Sequence, residues 1–510
     1  MKKKKPTILI ILDGWGHSTD TQYNAIYSAH PEFFNNALHN YKHTFLLASG
    51  CAVGLLDGMI GNSEVGHMTI GAGRIIEQAI TQLHKNIDNK SFFDNNDIRA
   101  CCEQLKATGK TLHIMGLLSN SGVHCDEKIL FATIQCAYTM GAPKIIIHPF
   151  LDGRDAPPTS ATLYLDRLEK YIKHMPTVSI GSLHGRLYAM DRDEQWERTL
   201  RSYTALTQEN CTQKISWQEV IAQYYAKNIT DEYIAPTQLE PHTTITDGDA
   251  VIFVNIRADR ARQLFSLLCN TDYSMFTKQP PHVYHPMCSY IITGVSYHTA
   301  FNNPALCKKT IIKNTLCDAL EAAQKTIFTI AEKEKYAHVT YFFNGERETQ
   351  RTCETRTIIP SLGLAHYDKH PEMSAQKIAD AVITSLNNNP ADFYLINFAN
   401  ADMVGHSGNF KATITAIQFL DKQLEKIVTC ALQLGGTIFI TGDHGKAESM
   451  WDYSNNQVLT QHTTNPVPFI MITPDNKKSS ANGNVPLAEL SDIAPYILRS
   501  MHLPVPPEML

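Results

Sequence analysis

The segment TILIILDGWG, residues 7–16, joins a short apolar run to a turn that contains an aspartate and two glycines. Such a run is typical of a strand that is buried on both faces of a parallel sheet. The run is too short for a membrane span or an export signal, and it ends at Asp13. Asp13 then follows the strand at its carboxyl end, where open α/β sheets place their ligands.

The same arrangement of apolar run and polar turn recurs along the chain. Apolar, β-branched runs alternate with helical patterns and predict further strands at residues 111–117, 144–150, 178–183, 250–255, 337–343, 393–398, 437–441 and 467–473. This alternation predicts an α/β fold with largely parallel sheets. Glycine, charged and histidine residues follow most of these runs, so we expect the functional side chains at the carboxyl ends of the strands.

The composition is that of a globular protein. The chain has 510 residues, of which 43% are hydrophobic and 19% charged, and about 150 residues per domain gives two or three domains. A net charge of −5 disfavours a nucleic acid as partner, since binding to phosphates requires a basic surface. The 12 cysteines form no C-x-x-C pair. We therefore predict a cytoplasmic protein with reduced thiols and a small-molecule partner, without nucleic acid or membrane as partners.

Aspartate and histidine residues from both ends of the chain form the first set of candidate site residues. They are Asp13, Asp402, His406, Asp443, His444 and His462. Taken singly, such an aspartate is more often a helix cap or turn residue, and such a histidine is more often a packing or surface residue. Taken together, three carboxylates and three imidazoles suit two divalent ions such as Mn²⁺ or Zn²⁺.

A serine lies in the glycine-flanked segment GNSEVGHMTIGAG, residues 61–73. Ser63 could simply cap the helix that this segment predicts. It could also be a nucleophile, because a metal ion at its oxygen would lower the pKa of the hydroxyl without a histidine base. Two metal ions about 4 Å apart could then stabilise the attacking and leaving oxygens of an in-line phosphoryl transfer. His67 is expected to orient this turn or to pack beneath it.

Residues of the middle segment, mostly arginines, form the second set. They are His124, Arg154, Asp155, Arg186, Arg192, Arg257 and Arg260. Guanidinium groups at strand ends suit a substrate with more than one negative group. Surface ion pairs, such as Arg192 with Asp191 or Asp193, are the alternative for each arginine. Asp155 would stay ionised among the arginines, as a general base must. The two sets suggest one domain that is interrupted by another.

The motifs that carry these residues resemble those of cofactor-independent (2,3-bisphosphoglycerate-independent) phosphoglycerate mutases, a family of the alkaline phosphatase superfamily. In the family's order between Leu9 and about Met501, they are DGWG, GNSEVGH, GVH, LDGRD, HGR, MDRD, R-x-D-R, EKYAHVT, NADMVGH, D-H-G and HTTNPVP. The resemblance implies an alkaline-phosphatase-like, metal-binding domain of residues 1–76 and 311–510. A phosphoglycerate-binding transferase domain, residues 77–310, would be inserted into it.

The resemblance also implies a role for each candidate residue. Two divalent metal ions, Mn²⁺ by expectation, would be bound, one by Asp402, His406 and His462 and the other by Asp13, Ser63, Asp443 and His444. Ser63 would carry the phosphoryl group between two transfers, so that 3-phosphoglycerate and 2-phosphoglycerate interconvert in glycolysis and gluconeogenesis without free 2,3-bisphosphoglycerate. The phosphoglycerate site would be lined by His124, Arg154, Asp155, Arg186, Arg192, Arg257, Arg260 and Lys335, with Asp155 and Lys335 also catalytic.

Lys335 enters this set by context alone. It is predicted to precede the strand at residues 337–343, and on local grounds Lys333 and Lys335 are equally surface charges. Because EKYAHVT matches a family motif, Lys335 is the residue that the resemblance selects.

Three departures from the usual family motifs lie near the site residues. GVHCD stands where GVHSH is usual, so that Asp126 replaces a histidine next to Cys125. TGDHGK stands where TADHGN is usual and places Lys446 beside the proposed metal ligands. NGERETQRTCETRTIIP differs from an FNGG-type stretch. Every expected ligand is retained, so we expect activity with altered pocket details, and Lys446 could perturb metal affinity.

Two other functions remain open on the sequence. One is a metal-dependent phosphomonoesterase or another mutase of the superfamily, such as one acting on pentose phosphates; the arginine set favours a three-carbon acid with two anionic ends instead. The other is a catalytically silent phosphometabolite-binding protein, against which the intact Ser63 and the full ligand set argue. The protein is expected to be a monomer.

Overall fold

The computed structural model describes residues 5–269, 273–308, 311–363, 367–475 and 485–510. The chain folds into two compact units. The discontinuous unit comprises Met1–Gln78 and Ile311–Leu510, and the continuous unit comprises Ala79–Thr310. Each unit is an α/β structure built around its own mostly parallel sheet, which confirms the predicted fold class.

Short strands alternate with helices along the described residues. The strands are β1 (Thr7–Leu12), β2 (Lys42–Leu46), β3 (Leu112–Leu118), β4 (Ile145–Leu151), β5 (Val178–Ile180), β6 (Ser182–Gly185), β7 (Thr237–Gln238), β8 (Ala250–Phe253), β9 (Tyr290–Thr293), β10 (Ile327–Glu332), β11 (Glu354–Ile359), β12 (Phe393–Phe398), β13 (Thr437–Gly442), β14 (Trp451–Asp452), β15 (Gln457–Val458) and β16 (Val467–Ile472). The α-helices are α1 (Ala25–Ala29), α2 (Glu32–Asn40), α3 (Ser63–Ala72), α4 (Ala79–Asp88), α5 (Asn96–Thr108), α6 (Glu127–Thr139), α7 (Ala161–Ile172), α8 (Arg186–Ala189), α9 (Trp196–Thr207), α10 (Trp217–Tyr225), α11 (Arg262–Cys269), α12 (Leu316–Ala322), α13 (Ala375–Asn388), α14 (Asn400–Gly405), α15 (Phe410–Gln433) and α16 (Ile493–Ser500).

The main sheet of the discontinuous unit has the strand order β11-β10-β12-β1-β13-β16-β2. The five strands from β11 to β13 are parallel, while β16 is antiparallel to β13 and β2 is antiparallel to β16. Leu12 of β1 pairs with Phe398 of β12 on one side and with Gly442 of β13 on the other. The carboxyl ends of these three strands therefore lie side by side, and the turns that follow them meet at one edge of the sheet.

Alternate side chains of β1 enter two different apolar layers, because successive residues of a strand point to opposite faces. Ile8 and Ile10 pack with residues of α13 and α15, whereas Leu9 and Ile11 pack with residues of α12 and α16. All four side chains are fully buried. Helices thus cover both faces of the sheet, which explains why this strand is a continuous apolar run in the sequence.

The sheet of the continuous unit has the strand order β7-β6-β4-β3-β8-β9, and β5 also pairs with β4. Its strands are parallel except β7, which is antiparallel to β6. Leu118 of β3 pairs with Leu151 of β4, and Leu151 pairs with Gly185 of β6. β4 therefore lies between β3 and β6, whose carboxyl ends lead into the segments that carry His124 and Arg186.

One predicted strand is wrong. Residues 337–342 are helical, with a π-helix at His338–Phe342, and the strand of this region is β10. Val339 and Phe343 are the apolar residues that this segment buries in the core, and their spacing of four residues is that of one helix face. Lys335 therefore follows a strand, in the turn after β10, and does not precede one.

Among the helices of the described residues, none has the length and apolar composition that a bilayer-spanning segment requires.

The cysteines are free thiols, and Cys101, Cys102 and Cys125 are fully buried. Burial raises the pKa of Cys102 to about 11, so this thiol stays protonated at neutral pH. These three buried cysteines are therefore packing residues.

Candidate active site

The turns after β1, β12 and β13 meet at the carboxyl edge of the discontinuous unit's main sheet. Asp13 directly follows β1, and Asp443 directly follows β13. Asp402 lies in α14, which begins two residues after β12, and Ser63 is the first residue of α3. All four residues are buried. The fold thus brings together side chains from distant parts of the sequence.

Two groups of possible metal ligands lie at this edge. The histidine group consists of Asp402, His406 and His462, and the serine group consists of Asp13, Asp443 and His444 together with Ser63. Within each group, ligand atoms of the carboxylates and imidazoles lie within 4.8 Å of one another. Mn²⁺ and similar divalent ions bind such oxygen and nitrogen atoms.

The two imidazoles of the histidine group are oriented by backbone carbonyls. Nδ1 of His406 donates to the carbonyl of Thr460 at 2.8 Å, and Nδ1 of His462 donates to the carbonyl of Gly61 at 2.9 Å. Because a carbonyl oxygen can only accept, Nδ1 carries the proton in each neutral ring and Nε2 presents a lone pair. The two Nε2 atoms lie 3.0 Å from each other, and they lie 3.1 and 3.2 Å from Oδ1 of Asp402.

Each group also contains a buried carboxylate oxygen that receives no hydrogen bond from the described residues. Oδ1 of Asp402 is buried and accepts no hydrogen bond from the described residues. Oδ2 of Asp443 is likewise buried and lacks a donor in the same part of the chain. Buried carboxylate oxygens without donors are unfavourable unless a cation compensates their charge. The donor set and its unsatisfied atoms therefore fit a divalent metal ion at each group.

Ser63 lies at the start of α3, but it does not cap the helix. The N-cap is Asn62, whose side chain accepts from the backbone N–H of Val65 at 3.1 Å. The Ser63 hydroxyl contacts the site instead: its Oγ lies 3.1 Å from Oδ1 of Asp13 and 3.0 Å from Nε2 of His444. The alternative of a capping serine is therefore wrong.

The carboxylates around His444 favour a positive charge at this position. Burial lowers the pKa of His444, but Asp443, Asp13 and Asp402 outweigh burial and raise the pKa to about 9. Without metal, the ring therefore holds a second proton at neutral pH. A metal ligand must release such a proton, so a metal ion bound at the serine group would replace the second proton on His444.

Lys335 links the two groups. Its ammonium nitrogen lies 2.7 Å from Oδ1 of Asp13, from Oγ of Ser63 and from Oδ2 of Asp402. Burial lowers the pKa of Lys335, but Asp13, Asp402 and Asp443 outweigh burial and hold it above its usual value. Burial likewise raises the pKa of Asp402, yet the Lys335 ammonium holds it well below its usual range. Lys335 therefore stays charged and places a cation beside the Ser63 hydroxyl.

Asn397 and His67 orient the serine group. Asn397, in β12, donates from Nδ2 to Oδ2 of Asp13 at 2.9 Å and to Nε2 of His67 at 3.0 Å. His67 donates from Nδ1 to the backbone carbonyl of Ser63 at 2.8 Å. His67 thus has the orienting position expected of it. Asn397 is missing from the sequence prediction, although a single amide in the buried apolar run FYLINF is a signal that could have indicated it.

Glu448 is a second residue that the sequence reading misses. Its Oε2 accepts from the backbone N–H of Gly16 at 3.2 Å and of Lys446 at 2.7 Å, and its Oε1 accepts from Nδ2 of Asn465 at 2.9 Å. The side chain is buried. Glu448 thereby ties together three turns that carry the DGWG, TGDHGK and HTTNPVP motifs.

The second set of predicted residues lies in the continuous unit. Arg186 is buried, and its Nη1 donates to Oδ1 of Asp152 and to Oδ2 of Asp155, both at 2.6 Å. Nε2 of His124 lies 3.9 Å from Oδ2 of Asp155. Asp155 thus stands between an arginine and a histidine, whereas Asp152, which the sequence reading does not select, fixes Arg186 from the other side.

Asp259 contacts Arg192, Arg257 and His124 of this set. Its Oδ2 lies 3.0 Å from Nη1 of Arg192, and its Oδ1 lies 3.2 Å from Nε of Arg257 and 4.0 Å from Nδ1 of His124. Arg192 therefore pairs with a carboxylate that is distant in sequence. Asp259 is the acidic residue of the R-x-D-R motif, and this position between two arginines is the signal that could have indicated it.

Arg154 and Arg260 complete the set, which we call the arginine group. Nη1 of Arg154 lies 3.6 Å from Oε1 of Glu232, and this arginine side chain is 53% exposed. Burial lowers the pKa of Arg260, and the neighbouring cations Arg192, Arg186 and Arg154 lower it further. Such mutual repulsion among guanidinium groups is relieved by a bound anion. The arginine group is therefore suited to an anionic ligand.

Comparisons with known proteins find relatives of one family. A family model described as the N-terminus of BPG-independent PGAM matches residues 83–292. The 2,3-bisphosphoglycerate-independent phosphoglycerate mutase of Clostridium kluyveri is 42% identical over 511 residues, which cover 99% of this chain and 98% of that protein. The protein of the same name from Legionella pneumophila is 41% identical over 510 residues, which cover 100% of this chain and 98% of that protein.

A solved structure shares the fold along the whole chain. The structure of Leishmania mexicana phosphoglycerate mutase at low cobalt concentration superposes with a TM-score of 0.77 at 29% sequence identity. The superposition covers 99% of this chain and 97% of that chain. Given relatives of 41–42% identity along nearly their full lengths, the chain belongs to the family of 2,3-bisphosphoglycerate-independent phosphoglycerate mutases.

Proposed function

We propose that this protein, an isomerase by its family, interconverts 3-phosphoglycerate and 2-phosphoglycerate through a phosphoserine at Ser63, without free 2,3-bisphosphoglycerate. The observation that carries the proposal is the position of the Ser63 hydroxyl, which lies 2.7 Å from the Lys335 ammonium and 3.0 Å from Nε2 of His444. A buried serine that contacts a lysine and a metal-ligand group is equipped to accept a phosphoryl group. The reaction would serve glycolysis and gluconeogenesis.

The proposal includes two divalent metal ions, with Mn²⁺ as the expected metal. Asp402, His406 and His462 would hold one ion, and the second would be held by Asp13, Ser63, Asp443 and His444. When bound, these ions neutralise charge on phosphoryl oxygens and lower the pKa of the serine hydroxyl. The buried carboxylate oxygens without donors in both groups support this assignment.

In the first transfer, Ser63 Oγ forms a bond to phosphorus, and the bond from phosphorus to the C3 oxygen of the substrate breaks. The leaving C3 oxygen gains the proton that the Ser63 hydroxyl releases as it attacks, and we propose Asp155 as the shuttle that carries this proton. In the second transfer, the C2 hydroxyl gives up its proton to the same carboxylate and forms a bond to phosphorus. The bond from phosphorus to Ser63 Oγ breaks, and the proton returns from the carboxylate to the serine oxygen. Lys335, whose ammonium already contacts Ser63 Oγ, stabilises charge on the transferred group in both steps.

The arginine group would bind the substrate. Phosphoglycerate carries a phosphate and a carboxylate, and planar guanidinium groups bind both in a bidentate manner. We propose Arg154, Arg186, Arg192, Arg257, Arg260 and His124 for this role. In this assignment, residues 77–310 form the phosphoglycerate-binding transferase domain, and residues 1–76 and 311–510 form the metal-binding domain. A cytoplasmic monomer is the form that we propose.

The proposal is tested by turnover and by isolation of the phosphoenzyme. Purified protein with Mn²⁺ should convert 3-phosphoglycerate to 2-phosphoglycerate without added 2,3-bisphosphoglycerate, as followed by coupling to enolase. Mass spectrometry of rapidly quenched protein should find phosphate on the peptide that contains Ser63. Absence of turnover with Mn²⁺, Co²⁺ and Zn²⁺ would contradict the proposal, and so would release of free phosphate as the main reaction.

A further inference from the structure

Lys446 is a buried lysine next to the histidine group, and the proposed mechanism does not use it. It follows His444 by two residues and is fully buried. Its ammonium donates to two backbone carbonyls, that of Leu459 at 3.2 Å and that of Gln461 at 3.0 Å. Lys446 therefore anchors the segment of residues 459–461.

This segment orients both imidazoles of the histidine group. The carbonyl of Thr460, between the two carbonyls that Lys446 holds, accepts from Nδ1 of His406 at 2.8 Å. Gln461 directly precedes His462, whose Nε2 lies 3.0 Å from Nε2 of His406. A displacement of the segment would therefore turn one imidazole and move the other.

Lys446 is itself held at several points. Its backbone N–H donates to Oε2 of Glu448 at 2.7 Å. Its aliphatic stem lies against α14, where a Cβ atom added to Gly405 would be 3.2 Å from Cγ of Lys446. In addition, the backbone N–H of Thr463 donates to the carbonyl of Gly445 at 3.0 Å, so the chain beside Lys446 pairs with the chain after His462. The backbone and the aliphatic stem of Lys446 are therefore held in place, which fixes the position of its ammonium.

We propose that Lys446 is a positioning residue for the metal ion of the histidine group. Its ammonium fixes residues 459–461, so that His406 and His462 direct their Nε2 atoms at one cation. The inference rests on the proposed function, because it assigns Lys446 to the metal site proposed there. Groups that orient metal ligands typically change metal affinity by about 10–100-fold when they are removed.

A purely electrostatic role predicts the opposite result. The charged ammonium is close to Asp402 and would repel a divalent cation bound there. If repulsion dominated, removal of the ammonium would tighten metal binding. The direction of the change in affinity therefore separates the two roles.

The test uses Lys446→Met, which keeps an unbranched stem and removes the donors. Mn²⁺ binding is titrated by electron paramagnetic resonance in the full-length wild-type protein, in this variant and in Lys426→Met. Lys426 is an exposed lysine of α15 that bonds only to Gln423 within its own helix among the bonds described, and it serves as the control. We expect one Mn²⁺ of Lys446→Met to bind at least about 10-fold more weakly, with the control unchanged.

The affected ion is identified in a His462→Ala background, in which the histidine group has lost a ligand. In this background, the additional Lys446→Met change should leave the affinity for the remaining Mn²⁺ unchanged. Lys446 is proposed to act only on the ion of the histidine group, and the effects of two residues that act on the same ion are not additive. The Co²⁺ absorption spectrum supplies a second readout: its ligand-field bands should shift in Lys446→Met and recover in part in Lys446→Gln, which retains an amide donor. Lys446→Gln also provides the affinity measurement if Lys446→Met fails to fold.

Equal or tighter binding of both ions by a folded Lys446 variant would overturn the inference and leave the proposed function intact. A wild-type protein that binds fewer than two Mn²⁺ ions would instead contradict the proposed function, and the inference with it. Weaker binding of one ion, confined to the histidine group, supports the positioning role.

Discussion

Nε2 of His406 and Nε2 of His462 lie 3.0 Å apart, and the proton of each neutral ring is directed away from the other ring to a backbone carbonyl. Two lone pairs at this distance, together with Oδ1 of Asp402, would form one face of the proposed coordination sphere. The pair exists because a helix after β12 and a segment after β15 converge beyond the end of the sheet.

Replacement of His462 by alanine should reduce the bound Mn²⁺ from two ions per chain to one. The remaining Nε2 and carboxylate leave too few ligands to hold the first ion, while the serine group is unchanged. Native mass spectrometry in the presence of Mn²⁺ measures the stoichiometry. His370→Ala, at an exposed histidine of the same unit, is the control and should retain both ions. Two ions bound to His462→Ala would argue against the ligand set.

Replacement of Ser63 by alanine should lower kcat by on the order of 10³-fold or more, because the nucleophile is removed. Metal binding should persist, since the carboxylates and imidazoles of both groups remain. Steady-state kinetics and Mn²⁺ titration on the same preparation measure the two properties. Substantial mutase activity in this variant would exclude Ser63 as the nucleophile.

Replacement of Asn397 by leucine should lower kcat by about 10–100-fold with a smaller effect on KM, the size expected when a residue that orients ligands is removed. The change removes the bonds at 2.9 Å to Asp13 and at 3.0 Å to His67. Kinetics with saturating Mn²⁺ measure the effect. Asn387→Leu, at an exposed asparagine of α13, gives a control for the loss of an amide. An unchanged kcat in Asn397→Leu would show that Asp13 needs no support from β12.

Replacement of Arg186 by methionine should lower the free energy of unfolding by about 3–5 kcal/mol, because two carboxylates lose the buried cation between them. Nη1 of Arg186 donates to Asp152 and to Asp155 at 2.6 Å. The same change should weaken binding of phosphoglycerate. Urea unfolding and isothermal titration calorimetry measure these effects, with the exposed Arg99→Met as the control. An unchanged free energy of unfolding in Arg186→Met would contradict a stabilising role of these two ion pairs.

Asp249 should make the stability of the continuous unit dependent on pH. Burial raises its pKa, but the His113 imidazole, whose Nε2 lies 3.5 Å from Oδ2 of Asp249, and hydrogen bonds from Thr111 and Thr246 outweigh burial and lower it to about 2. The pKa in the folded state is therefore below the ordinary value of 3.8. It follows that the stabilisation is complete above about pH 4 and is lost as the pH falls toward 2.

Asp249→Asn should therefore lower the free energy of unfolding at neutral pH by about 1–3 kcal/mol, because an amide cannot accept with both of its atoms. Its stability should also change less than that of the wild type between pH 5 and pH 3. Urea unfolding at a series of pH values measures both effects, and the exposed Asp380→Asn is the control. An identical pH dependence in Asp249→Asn and wild type would contradict the assignment.

The sequence indicated the strands and site residues that depend on local pattern. Asp13 and Asp443 follow buried apolar runs, and the register of β1 with β13 then places them side by side. Such strand-end positions are visible in the sequence because burial on both faces leaves a continuous apolar run.

The residues that the sequence reading missed act through contacts between distant segments. Asn397 was hidden in a strand, and Glu448 acts by joining three separate turns. The pattern of residues 337–342 predicts a strand because β-branched and aromatic residues dominate it, but the segment is helical because Val339 and Phe343 pack on one face. Local propensity is a weak guide where tertiary packing determines the conformation.

The central position of β1 has a consequence for the order in which the protein folds. Thr7 pairs with Phe393 and Thr437, so the first strand of the chain obtains both neighbours only after most of the polypeptide has left the ribosome. Pairing across such sequence distances is slow, because the closure of a long loop precedes the gain from contacts. The continuous unit, whose strands are local to residues 79–310, can fold during this interval. A nascent chain that still lacks Asp443 and His444 therefore cannot assemble the serine group, so this part of the proposed metal site forms late in synthesis.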